Sequence, residues 1–198
     1  MSTLENLSCP IDAAPLSRDE RSLKCEHGHT YDLAKTGYVN LLPVQNKRSK
    51  DPGDSKEMVA ARQTFLDISK WAITAASKRD KGVSWLVGSN ASLPVPSERF
   101  DAILCLFGFP VFSEFSRVLG ETGLLLLVES GPDHLIELRE ILYPSIHDYK
   151  QTFSEGVEGF ELVLEKAETY VFTLNSQTKI EQLLSMTPHI HKASYDGR

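Results

Sequence analysis

Two short turns near the start of the chain carry residues that can bind a metal: Cys9-Pro10-Ile11-Asp12 and Cys25-Glu26-His27-Gly28-His29. Ligand-bearing turns about a dozen residues apart can converge on a tetrahedral zinc site, with thiolates from Cys9 and Cys25 and an imidazole from His29. The fourth place falls on Asp12, where a Cys-x-x-Cys turn would put sulfur. A carboxylate can ligate zinc but suits a sulfur-rich site less well, so His27 is an alternative fourth ligand. The set is closed, which points to a structural rather than a catalytic metal. The plainer reading is a module without metal, held only by docking on a larger domain.

Further along, Gly88-Ser89-Asn90-Ala91-Ser92-Leu93-Pro94 follows a strand-like stretch. That places Asn90, Ala91, Ser92 and Leu93 at the C-terminal edge of a sheet, where α/β domains bind ligands and small polar residues can meet an adenine ring; an exposed turn is the plain alternative. Leu106-Phe107-Gly108-Phe109-Pro110 lies at the same edge after another strand. Phe107 or Phe109 could stack on a base, or both could anchor the next helix in the core. Asp67 is placed either to receive ribose hydroxyls or to cap a helix. Lys47, Arg48 and Lys50 sit in a polar connector and can reach a phosphate backbone without reading sequence; a solvated linker is the default. Cys105 reads as inert core, and no Ser/His/Asp order or paired carboxylates stand out.

The elements that must position these residues alternate. Strands are expected at 83–87, 101–106 and 124–128, with helices at 57–65, 69–79, 112–119, 135–142 and 178–184 and a turn at 121–123. Edge strands are expected at 161–166 and 170–174. Strand and helix in alternation argue for a mostly parallel sheet covered on both faces. Residues 1–42 are turn-rich and too small to bury a core alone, so they form a separate module; 43–56 is a basic connector and 57–198 the α/β domain. What the α/β domain lacks is the first strand and glycine-rich turn that should open a nucleotide-binding unit. A content of 41% hydrophobic and 24% charged residues is that of a soluble globular chain. No apolar run approaches the roughly 20 residues of a membrane helix, and no secretory signal is visible. With three cysteines, a disulfide framework is a poor reading and a reduced, cytoplasmic protein the expected one. The net charge of −6 disfavours a non-specific nucleic-acid coat, although a local basic patch can still steer RNA toward one face.

The chain resembles the bacterial 23S ribosomal RNA guanine-N1 methyltransferases. The resemblance rests on Cys9-Pro10, Cys25 through Asp32, Gly37-Tyr38-Val39-Asn40-Leu41-Leu42-Pro43, Lys47-Arg48-Ser49 and Asp51-Pro52-Gly53-Asp54, with further matches through Met186-Thr187-Pro188. It implies a zinc module that helps recognise an RNA hairpin, followed by a Rossmann-like, S-adenosylmethionine-dependent methyltransferase domain. The implied substrate is a guanine in helix 35 of the large-subunit rRNA, and the implied assembly is a homodimer. Cys9, Cys25 and His29 match family zinc ligands, with Asp12 in place of a cysteine. Asp67 matches the residue that receives the cofactor ribose, and Asn90 to Leu93 the adenine-side loop. Several dozen family residues, including the glycine loop, have no counterpart at the 65–67 seam, and after Pro188 too few residues follow for the usual closing strands. An inactive RNA-binding or interaction protein derived from such an enzyme is therefore the alternative reading.

Overall fold

The computed structural model describes residues 7–43, 70–80, 82–146, 156–187 and 189. The N-terminal part is an antiparallel three-stranded sheet in the order β1 (Ser17–Asp19), β2 (Ser22–Lys24) and β3 (Thr30–Asp32). A two-residue turn joins β1 to β2, with Glu20 in the left-handed region at φ 48° and Ser22 Oγ donating to the Asp19 carbonyl. Leu23, at the centre of β2, is fully buried.

β4 (Val39–Asn40) then leaves this module and pairs in parallel with β5 (Leu86–Val87). The run expected to belong to a separate module thus supplies an edge strand to the α/β part. The core is correspondingly shared: Leu7, Cys9, Leu16, Leu23, Cys25, Val39 and Leu41 pack in one cluster with Val95 and Val118. A small sheet whose own apolar residues are few gains its burial from the neighbouring unit.

The α/β part contains α1 (Lys70–Arg79), β5, β6 (Phe100–Leu106), α2 (Phe112–Val118), β7 (Leu119–Val128), α3 (Ile136–Leu142) and α4 (Gln177–Met186). β6 and β7 are parallel, with α2 as the crossover between them. These elements fall within a few residues of the expected ones. The helix expected at 57–65 lies outside the described residues.

Three expectations are corrected. The turn at 121–123 is absorbed into β7, which advances from Leu119 to Leu124 while β6 advances only from Phe100 to Ala102. The strands expected at 161–166 and 170–174 do not form; Val163, Leu164, Tyr170 and Val171 are about four-fifths exposed. A strand exists only by pairing, and among the described residues no strand pairs beyond β7. Nor, among the described residues, is the β6–β7 sheet covered on both faces. Ile103, Cys105, Leu125 and Leu127 point to the packed side, whereas Leu104, Leu106, Leu124 and Leu126 on the other side are 54–64% exposed. Among the described residues, these two strands form the centre of an α/β layer with one face uncovered.

Candidate functional site

The two metal-binding turns are built by backbone bonds that curl each loop around its ligands. Ala13 N–H donates to the Cys9 carbonyl and Gly28 N–H to that of Cys25, while Ala14 N–H donates to Asp12 Oδ1 at 3.1 Å. Gly28 needs its left-handed φ of 88° to close the second turn. The result brings Cys9, Asp12, Cys25 and His29 together, with one donor atom from each lying within 4.8 Å of all the others.

Three of the donor–donor spacings suit a tetrahedral ion, whereas His29 Nδ1 and Asp12 Oδ2, at 2.9 Å, lie closer than one requires. His29 Nδ1 lies 3.5 Å from Cys9 Sγ and 3.3 Å from Cys25 Sγ, and Cys25 Sγ lies 3.5 Å from Asp12 Oδ2. Metal–sulfur bonds near 2.3 Å and metal–nitrogen bonds near 2.1 Å at the tetrahedral angle require edges of about 3.5 Å. His27 is more exposed and meets the set only through Asp12 Oδ2, at 2.9 Å.

Burial pushes the Cys9 thiol up, while the Asp12 carboxyl is held well below the usual carboxylate range, first by its hydrogen bond with Cys9. The Tyr31 hydroxyl is 3.1 Å from Cys9 Sγ. Its phenol is pushed above the ordinary value, by burial first and then by Cys9, so it stays a neutral donor suited to a thiolate. The signal was the strand period: His29 and Tyr31 are two apart and share a face.

Asp12 yields a direct prediction. Asp12→Ala should weaken zinc about 10- to 100-fold, and Asp12→Cys should tighten it by about tenfold or more, because thiolate suits the ion better. Competition with a chromophoric chelator measures both. Equal affinity in all three proteins would remove Asp12 from the ligand set.

At the other end, two loops meet. The loop after β5 carries Asn90, whose Nδ2 donates to the Phe109 carbonyl in the loop after β6 at 3.0 Å. Phe107 and Phe109 are 71% and 91% exposed, which excludes their role as core anchors. Phe107 also holds a left-handed φ of 54°, uncommon for a bulky residue.

Sequence reasoning missed the pair behind these loops, Glu114 and Arg117 on α2. Their i, i+3 spacing was visible, but such pairs usually decorate a solvated face. Here Glu114 Oε2 accepts Leu93 N–H at 2.7 Å, and Arg117 donates to the carbonyls of Leu93 and Val95 at 3.0 and 2.9 Å. The Arg117 guanidinium holds the Glu114 carboxyl below its ordinary value. The stability this adds is complete above about pH 4.5, the unfolded carboxyl value, and is lost as pH falls through the lower folded value. Urea midpoints from pH 6 to 3 should therefore fall less steeply in Glu114→Gln than in the parent; identical slopes would contradict this.

Ser8 N–H also donates to the Pro94 carbonyl, at 2.8 Å, and a groove of about 680 Å³ runs between the first metal turn and residues 92–97. Asp67, Lys47, Arg48 and Lys50 lie outside the described residues.

Residues 7–50 match a family described as "RlmA, N-terminal", a zinc ribbon, and residues 54–127 match a methyltransferase domain. The Bacillus subtilis protein YxjB, provisionally named a 23S rRNA (guanine-N1)-methyltransferase, is 30% identical over 248 positions, covering 95% of this chain and 88% of YxjB. The 23S rRNA (guanine(748)-N1)-methyltransferase of Streptomyces fradiae is 48% identical over 66 residues, 33% of this chain and 22% of that protein. The alignment with YxjB spans 248 positions and this chain has 198 residues, so at least 50 of those positions have no residue here.

Proposed function

This chain belongs to the 23S rRNA guanine-N1 methyltransferase family, and on that premise we propose that it methylates N1 of a guanine in 23S rRNA, in the helix 35 hairpin, with S-adenosylmethionine as donor. The observation that carries the proposal is the junction of two loops, each following a parallel strand, through the Asn90–Phe109 hydrogen bond. Loops at the C-terminal ends of parallel strands are where such folds take their ligands.

The residues present fit the nucleoside end of the donor. Asn90, Ala91, Ser92 and Leu93 would flank the adenine and Asp67 would take the ribose, while no glycine loop in the chain serves the methionine end. When bound, S-adenosylmethionine supplies an electrophilic methyl group. The protein's share is placement: Phe107 and Phe109 offer exposed rings on which an extruded guanine stacks, and holding the base in line accounts for most of the rate. Lys47, Arg48 and Lys50 would take RNA phosphates. Zinc would be held by Cys9, Asp12, Cys25 and His29, where it braces the two turns of the ribbon.

A homodimer and a cytoplasmic location complete the proposal. The bare face of Leu104, Leu106, Leu124 and Leu126 supports association, since water-exposed apolar surface of this kind is normally covered. Among the described residues no helix is long and apolar enough to cross a membrane.

The shortfall of at least 50 aligned positions favours a second reading, an RNA-binding protein without methyl-donor affinity. Calorimetric titration with S-adenosylmethionine, followed by mass spectrometry of a guanine-containing 23S rRNA hairpin, separates the two. Binding and a gain of one methyl group at N1 support the enzyme. Absence of binding by a chain verified at 198 residues supports the second reading.

A further inference from the structure

Three loops leave the C-terminal ends of β5, β6 and β7. The Asn90–Phe109 bond joins the first to the second. The second and third begin side by side, because Leu106 pairs with Val128 and Phe107 N–H donates to the Val128 carbonyl at 2.8 Å. Residues 88–94 and 107–111 hold no side chain that takes up a proton near neutral pH. Residues 129–135 hold three that can accept one, Glu129, Asp133 and His134. This third loop is a built turn. His134 N–H donates to the Gly131 carbonyl and Ile136 N–H to that of Asp133, at 3.1 Å each. Arg139 Nη1 reaches back from α3 to the Pro132 carbonyl at 2.6 Å and approaches that of His134 at 3.5 Å. Leu135 completes the turn in the left-handed region, at φ 51°. The backbone around His134 is thus fixed, while among the described residues its ring nitrogens make no hydrogen bond.

We propose that His134 is the catalytic base, which takes the N1 proton of the target guanine. The proposal rests on the reading of this chain as a guanine-N1 methyltransferase. Guanine N1 carries a proton, so it has no free pair to attack with until that proton leaves. The N1–H bond breaks with its electrons kept on nitrogen, the proton passes to a ring nitrogen of His134, and the imidazolium hands it to water. N1 then bonds to the methyl carbon, whose bond to sulfur breaks with its electrons going to sulfur; the released proton balances the lost sulfonium charge. Desolvation, and after it the Arg139 charge, pull the imidazole below its ordinary value, so at pH 7 the ring is neutral and able to accept. The other charged groups on the turn and on α3 are the carboxylates of Glu129, Asp133, Glu137 and Glu140. Burial, and after it the Glu129 charge, push the Cys105 thiol up, so that carboxylate is felt within β6. Near neutral pH a carboxylate is a weaker proton acceptor than an imidazole, which makes His134 the better-matched base.

The test compares the full zinc-loaded chain with its His134→Gln variant on the 23S rRNA hairpin. Single-turnover methylation is followed from mildly acidic to alkaline pH, and the His134 Cε1–H signal of the parent is followed by NMR. The parent rate should rise from acid and level off by about pH 7. In His134→Gln it should fall about 100-fold at pH 7, with hairpin affinity unchanged. The variant's rate should then climb about tenfold per pH unit, because only guanine already deprotonated in water reacts. Without any methyl donor, the His134 signal should titrate below the ordinary histidine value. It should also move on adding the hairpin, and stay still for a hairpin carrying adenine at the target position. A His134→Gln rate that is unchanged, or lowered equally at every pH, overturns the proposal. So does the change of slope appearing in Glu129→Gln or Asp133→Asn instead. A parent that methylates N1 while its His134 signal ignores the hairpin overturns the proposal and leaves the methyltransferase reading standing. A parent that transfers no methyl group removes both.

Discussion

Serine in place of Cys25 is expected to strip the zinc and unfold the ribbon with it. Cys25 is buried at the mouth of a turn whose strands are only three residues long. With zinc in the proposed site, so small a sheet would draw its stability from the metal, and structural zinc in comparable modules is worth on the order of 10 kcal/mol. Zinc content should drop from about one equivalent to less than one-tenth. The loss should spread, because Val95 and Val118 belong to the same cluster as Leu16, Leu23 and Leu41. The thermal midpoint of the whole chain should accordingly fall by about 10 °C or more. Full metal loading in Cys25→Ser, or an unchanged midpoint after chelation of the parent, would contradict this account.

Removing the rings of Phe107 and Phe109 should do the opposite, costing activity and sparing the fold. Both side chains are exposed, so truncation to alanine gives up little burial. If they stack the target base, each is worth about 1–3 kcal/mol, and kcat/KM for the RNA should fall roughly 10- to 100-fold per substitution. Phe107→Gly adds a second readout. It relieves the left-handed strain, so it should lose activity with no fall in thermal midpoint. Variants that melt early but methylate normally would return both rings to a structural role.

Much of this was legible because local rules and the fold agree. DAILCL reads as a strand and lies within β6, although one of its faces is exposed, and the two cysteine turns stand at a spacing that lets them converge. What stayed hidden was long-range. Val39 and Asn40 look like the end of a small module, and nothing nearby in the sequence reveals that their partners are Leu86 and Val87. Tyr31 and the Glu114–Arg117 pair follow ordinary spacings for a strand and a helix surface, and take on site roles only through what the fold sets against them. The strands expected near 161–174 had the right composition, but composition cannot supply the neighbouring edge on which a strand depends.

The β4–β5 pairing also has a polymer consequence. It ties residue 40 to residue 87 and so closes a loop of roughly 45 residues, whose closure entropy grows only with the logarithm of its length. Doubling such a loop costs about 0.6 kcal/mol, less than a single good hydrogen bond. Its two ends stay pinned side by side whatever lies between them. Dozens of residues can enter or leave that excursion over the course of evolution while the ribbon keeps its station beside the loop that follows β5.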